Sequence, residues 1–142
     1  MQDRMEVFRR VERQYLREKL EMLGLSAVDG MVLRLVARKG SMCQEDIVRW
    51  IVLDKGAVAR AVARLEGRGL VERTVPSQCR REKLVSLTEE GDRVRRAVEE
   101  LLQEWSRICY QGFTPEERQA WDAFLTRITE NVLQFKREEL DG

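Results

Sequence analysis

Apolar side chains recur every three or four residues from Met5 to Leu23, at Met5, Phe8, Val11, Tyr15, Leu16, Leu20 and Leu23. That spacing lines one face of an α-helix, and Gly24 stops it. Ser26 with Asp29 three residues on is an N-terminal capping pair, and Met31, Val32, Leu35 and Val36 carry helical spacing on to Gly40. Ser41 with Gln44 makes a similar pair ahead of Ile47, Val48 and Ile51. Asp54 caps a fourth run, through Val58, Val62 and Leu65, that stops at Gly67–Gly69. The period then drops to two: Leu70–Val75 alternates, Pro76–Glu82 is a polar tip, and Lys83–Leu87 alternates back. Helical spacing returns from Glu89 to about Tyr110, with Val94, Ala97, Val98, Leu101, Leu102, Trp105, Ile108 and Cys109 as its apolar positions. Gln111 and Gly112 break it. Thr114, Pro115 and Glu117 then supply cap, first-turn proline and capping-box acid for a last helix bearing Trp121, Phe124, Leu125, Ile128, Val132 and Phe135.

The predicted order is four helices, two strands and two helices. This is a mainly α chain with a small two-stranded antiparallel hairpin. Helix, turn, helix and hairpin within Ser41–Thr88 is the layout of a winged helix-turn-helix, a fold that usually reads DNA. The whole of 1–142 reads as one domain, with a winged-helix lobe over 26–88 and a helical region over 1–24 and 89–142. The seams of the first and the last two helices carry more apolar surface than a small lobe covers by itself. Their spacing suits a helical dimer interface, with an intramolecular bundle as the alternative.

Composition adds a globular, heavily charged surface: 43% of residues are apolar and 36% charged. Net charge is only +1, but its distribution is uneven. Between Lys55 and Lys83 eight cations face three anions, so that segment carries +5 and the remainder −4. The excess sits where the fourth helix and the hairpin would meet a phosphate backbone. No apolar run is long enough to cross a bilayer, and Met1-Gln2-Asp3-Arg4 is not a signal-peptide pattern. Three widely spaced cysteines suit reduced thiols, so the expected compartment is the cytoplasm.

Enzyme chemistry finds no foothold. The chain has no histidine, the commonest general base, and no Gly-rich phosphate loop or nucleophile elbow. Without histidine or paired C-x-x-C spacing no zinc site is expected, and no cofactor is implied. Glu89–Glu90 and Glu99–Glu100 read as solvated helix charge.

The residues Leu65-Glu66-Gly67-Arg68-Gly69-Leu70-Val71-Glu72-Arg73, followed by Arg80-Arg81-Glu82-Lys83-Leu84-Val85-Ser86-Leu87-Thr88-Glu89-Glu90-Gly91, resemble the MarR family of bacterial and archaeal transcriptional regulators. The second block is the more specific, because generic winged helices do not usually follow the hairpin with Leu-Thr-Glu-Glu-Gly. The resemblance implies a homodimer in which helices from both chain ends interlace, with two winged lobes on a pseudo-palindromic operator. It also implies that a small-molecule effector, where one exists, sits between the dimerisation layer and the DNA-binding lobe. Two positions depart from the family. Its Asp-x-Arg in the hairpin reads Cys79-Arg80-Arg81 here, and Lys55-Gly56-Ala57 stands where hydroxyl residues are common.

For the site, the second helix of a helix-turn-helix enters the major groove with its N-terminal residues on base edges. Lys55, Ala59, Arg60 and Ala63 lie away from the side defined by Val58, Val62 and Leu65. Arg60 suits guanine O6 and N7, Ala57 and Ala59 a thymine methyl, and Lys55 and Arg64 phosphates. Arg73 adds charge at the hairpin's base, and Arg80 and Arg81 at its tip suit a narrow minor groove. Family alignment implies Arg81 as the inserted residue. The plainer reading is a solvated charged face and tip.

Cys43, in the first turn of the third helix, and Cys79, among hairpin cations, are candidates for oxidant sensing through a favoured thiolate. Cys109 suits core packing. The leading reading is a sequence-specific double-stranded DNA-binding transcriptional regulator, a dimeric repressor acting through helix 54–67 and wing 71–87. The alternative is a winged-helix protein–protein interaction module without specific DNA binding.

Overall fold

Helix caps, two of them predicted, organise the first part of the chain. In the computed structural model, which describes residues 3–75 and 83–141, Asp3 caps the first helix, α1 (Arg4–Met22), by accepting from the amides of Met5 and Glu6. Ser26 and Asp29 form the expected reciprocal pair at the start of α2 (Ala27–Lys39): Asp29 N donates to Ser26 Oγ at 3.1 Å and Ser26 N to Asp29 Oδ2 at 3.0 Å. Asp54 accepts from Ala57 N at 2.7 Å and starts α4 (Lys55–Gly67). Each satisfies amides that the first helical turn leaves without partners.

The third helix, α3 (Gln44–Ile51), starts differently from the expectation. Its N-cap is Cys43, whose side chain makes no capping hydrogen bond, and the Ser41–Gln44 pair does not form. Ser41 Oγ instead lies 2.6 Å from Ser86 Oγ. Met42 exchanges backbone hydrogen bonds with Val85 (3.0 and 2.7 Å), adding a one-residue bridge to the hairpin. The hairpin's own strands, β1 (Val71–Thr74) and β2 (Leu84–Leu87), run antiparallel with Val71 opposite Leu87 and Thr74 opposite Leu84. The long helix is α5 (Glu89–Cys109) and the last α6 (Pro115–Asp141), the latter capped reciprocally by Thr114 and Glu117.

Two compact units result, residues 1–103 and 104–142, and their boundary falls inside α5. In the first, a single core joins α2, α3, α4, the hairpin and parts of α1 and α5. Val32, Leu33, Ile47, Val58, Ala61, Val62, Leu65 and Val85 are wholly excluded from solvent there. In the second, Arg118 lies over the Tyr110 ring at 3.5 Å, and Trp121 Nε1 donates to the Tyr110 hydroxyl at 3.0 Å.

The turn between α3 and α4 carries strain. Val52 ends α3 at φ 61°, ψ 45°, the left-handed region that a β-branched side chain rarely enters. Val52 is also 42% exposed, so its side chain offsets little of that cost by packing. Val52→Asn is expected to raise unfolding free energy by about 1 kcal/mol in urea denaturation. An unchanged midpoint would show that the turn is not strained.

Candidate nucleic-acid interface

Four apolar positions on α4, Val58, Ala61, Val62 and Leu65, are completely buried against the rest of the lobe, which packs α4 on α2, α3 and β1. With that side fixed, the opposite side is set. Lys55, Arg60 and Ala63 are exposed on it, while Ala57 and Ala59 are half-buried along its edges. Lys55 and Arg60 have no ion-pair partner among the described residues. The Arg60 guanidinium lies back over Gly56: a Cβ added at position 56 would sit 3.0 Å from Arg60 Nη1 and 3.2 Å from Asp54 Oδ1. The missing side chain thus leaves the space in which the arginine head rests at the leading end of α4.

The remaining predicted contacts divide. Arg64, expected at phosphate, instead donates from Nη2 to Asp29 Oδ1 at 2.8 Å. Asp29 is a 3%-exposed carboxylate and Arg64 is its counter-charge. Arg73 lies with Nε 3.5 Å from Glu66 Oε1, its side chain three-quarters covered. Both charges are therefore compensated within the lobe, for a reason no local pattern carries: the partners lie 35 residues away for Arg64 and on another element for Arg73. Arg80, Arg81 and Cys79 lie outside the described residues. Cys43 is 8% exposed at the N-cap of α3, so an oxidant has little access to it, and Cys109 is half-buried in the second unit.

What the sequence analysis did not find is how the lobe grips the start of α5. Thr88 N donates to Leu70 O at 3.1 Å and Thr88 Oγ1 to Gly69 O at 2.6 Å, while Gly91 N donates to Thr88 Oγ1 at 3.0 Å. Leu-Thr-Glu-Glu-Gly is therefore a junction: one hydroxyl caps α5 and ties it to the end of the α4–β1 connection. Beside it, an open groove of about 950 Å³ is lined by Met31, Leu35, Trp50 and Leu87 together with Arg34 and Arg95. Two of its arginines are already engaged, Arg34 by Glu99 at 2.9 Å and Arg95 by Asp92 at 2.8 Å. The Arg95 hydrogen bond, with the charges of Arg95 and Arg96, holds the Asp92 carboxyl below its ordinary range. No helix among the described residues is long and apolar enough to cross a membrane.

A helix-turn-helix whose second helix is packed on one side, cationic on the other and followed by a hairpin defines a winged-helix DNA-binding protein. A family model described as a winged helix DNA-binding domain matches residues 25–91. The chain is 27% identical over 115 residues to the Bacillus subtilis HTH-type transcriptional regulator YybA, itself uncharacterized, covering 80% of this chain and 77% of that one. A MarR transcriptional regulator from Methanosarcina mazei superposes with a TM-score of 0.82 at 27% identity, over 92% of this chain and 94% of that one. A Listeria monocytogenes MarR family regulator solved with a 26mer DNA shares the fold, with a TM-score of 0.83 at 21% identity over 93% and 90% of the two chains. The chain carries a winged helix DNA-binding domain, is similar over most of its length to MarR family transcriptional regulators, and is a DNA-binding regulator.

Proposed function

We propose that the protein is a homodimeric repressor that occupies a pseudo-palindromic operator, with α4 of each copy in a major groove and each hairpin tip in the flanking minor groove. The observation that carries this reading is the exposed cationic leading end of α4, where Lys55 and Arg60 stand opposite a completely buried apolar face. Arg60 reads a base edge, Lys55 contacts phosphate, and the half-buried Ala57 and Ala59 let the helix approach closely. Arg80 and Arg81 supply minor-groove charge. The test is selection of genomic fragments by the purified protein followed by sequencing. A twofold-symmetric motif, bound with steep salt dependence, supports the reading, and enrichment without a motif refutes sequence-specific recognition. At the wing, Arg81→Ala should weaken operator binding and lower the slope of log K against log salt by about one unit per copy. Unchanged affinity at several salt concentrations removes Arg81 from the interface.

Dimerisation is supported by apolar side chains left in water on each unit taken separately. Met5, Phe8 and Val11 on α1 are 43–50% exposed, and Phe124, Leu125, Ile128, Val132 and Phe135 on α6 are 43–62% exposed. A stripe at helical spacing with this exposure marks an interaction face. Sedimentation at micromolar concentration should give twice the 16.7 kDa chain mass, and Ile128→Glu, which puts a charge into the stripe, should give a monomer. A monomeric wild type would refute the dimer.

A further inference from the structure

Arg60, Arg64 and Arg68 succeed one another at four-residue spacing, one stripe along α4 and its C-cap. All three are exposed, but the second and third turn their guanidinium groups to the corner between α1 and α2. Arg64 Nη2 donates to Asp29 Oδ1 at 2.8 Å and lies 3.5 Å from Ser26 Oγ. The second Asp29 oxygen is occupied by the Ser26 amide, so one buried carboxylate both caps α2 and holds α4. Arg68 Nη1 donates to Gly24 O at 2.8 Å and Nη2 to Leu23 O at 3.1 Å. Those carbonyls stand at the negative end of α1, where a guanidinium is favoured. Gly24 has φ 72°, and a Cβ there would press on Arg68 Nη1 at 3.1 Å, so glycine both makes the turn and admits the arginine.

We infer that Arg64 and Arg68 are positioning residues for DNA binding: a two-point clamp that fixes how α4 is presented relative to the α1–α2 corner, with neither arginine touching phosphate. The apolar side of α4 is built from Val58, Ala61, Val62 and Leu65, and burial of such small and branched side chains is non-directional. It sets which side of α4 faces the core but leaves small rotations and sliding along it. Hydrogen bonds to a carboxylate and to two carbonyls are directional and fix both. The inference rests on the proposed reading of α4 as the helix that enters the groove. In the dimer, the separation of the two α4 helices would then be transmitted through this corner to α1.

The test compares wild type, Arg64→Met, Arg68→Met and Arg64→Lys on the selected operator and on operators with half-site spacing changed by one base pair. The Met variants should bind the native operator about tenfold more weakly with an unchanged salt slope, and should discriminate less between spacings. Arg64→Lys, which keeps the charge toward Asp29, should recover part of the loss. A salt slope lowered by about one unit per copy would overturn the clamp in favour of phosphate contact, and unchanged affinity and spacing preference would overturn it outright. Amide hydrogen exchange on the DNA-free protein decides independently of whether wild type binds DNA. Residues 62–68 should exchange about tenfold faster in the Met variants while α5 amides 94–102 keep their rates. Equal acceleration throughout, or none, overturns the inference. Failure of wild type to bind any DNA would sink the proposed function and leave the exchange result to judge the clamp.

Discussion

Gly91→Ala is expected to destabilise the lobe by roughly 3 kcal/mol or more, lowering the thermal midpoint by on the order of 10 °C or abolishing soluble expression. A Cβ at this position would overlap the Leu70 carbonyl oxygen and lie 2.9 Å from its carbon. The obstacle is backbone, not the movable end of a side chain. Relief requires α5 to lift away from the α4–β1 connection, and that motion pulls on every bond of the junction. Thr88 Oγ1 to Gly69 O, Thr88 N to Leu70 O and Gly91 N to Thr88 Oγ1 all share the same few ångströms. Val98, 2% exposed further along α5, would leave the core with them. Gly67→Ala is the control within the same lobe: its added Cβ meets nothing within 4 Å, so its midpoint should hold or rise. Calorimetry on the two variants distinguishes them, and a Gly91→Ala protein with the wild-type midpoint would show that the close approach is not real.

This junction also shows where reading a sequence stops. Capping is local, so Ser26–Asp29, Asp54 and Thr114–Glu117 were legible from spacing alone and all form. Ser41–Gln44 has the same local signature and fails, because Ser41 and Met42 are drawn instead to Ser86 and Val85, more than forty residues on. Helical and alternating periods marked every element but the end of α6 within a residue or two, since a core-facing stripe leaves its period whatever it packs against; α6 runs on to Asp141, past its last apolar mark at Phe135. The strands came out shorter than the alternation suggested: Leu70 is buried but precedes β1, and Lys83 stands outside β2. Gly91 stood in a recognisable motif, yet nothing in the motif names Leu70 as its neighbour.

The same contrast sorts the charges. Counting cations between Lys55 and Lys83 marks a basic segment, but the count treats every arginine as available. Arg64 is committed to a buried aspartate and Arg73 to Glu66. At the leading end of α4, Lys55 and Arg60 are exposed and have no ion-pair partner among the described residues. Under the proposed reading, a face with two such cations and two half-buried alanines suits close approach with few polar contacts, so each contact would carry a large share of the specificity.

Arg60→Ala should accordingly have the largest effect of any surface substitution on DNA binding. A bidentate arginine–guanine pair is worth about 1–3 kcal/mol of discrimination, and a twofold complex loses it twice, so operator affinity should fall by roughly thirty-fold to twenty-thousand-fold. Affinity for unrelated duplex should hardly change, because phosphate contacts are not sequence-dependent. That pairing of outcomes separates a base contact from a phosphate contact: loss of a phosphate contact would weaken both kinds of DNA alike and flatten the salt dependence. Stability should be unaffected, since Arg60 is exposed and has no ion-pair partner among the described residues. Binding titrations on operator and scrambled duplex at matched salt make the measurement. Parallel losses on both would move Arg60 from the bases to the backbone, and no loss on either would remove α4 from the groove.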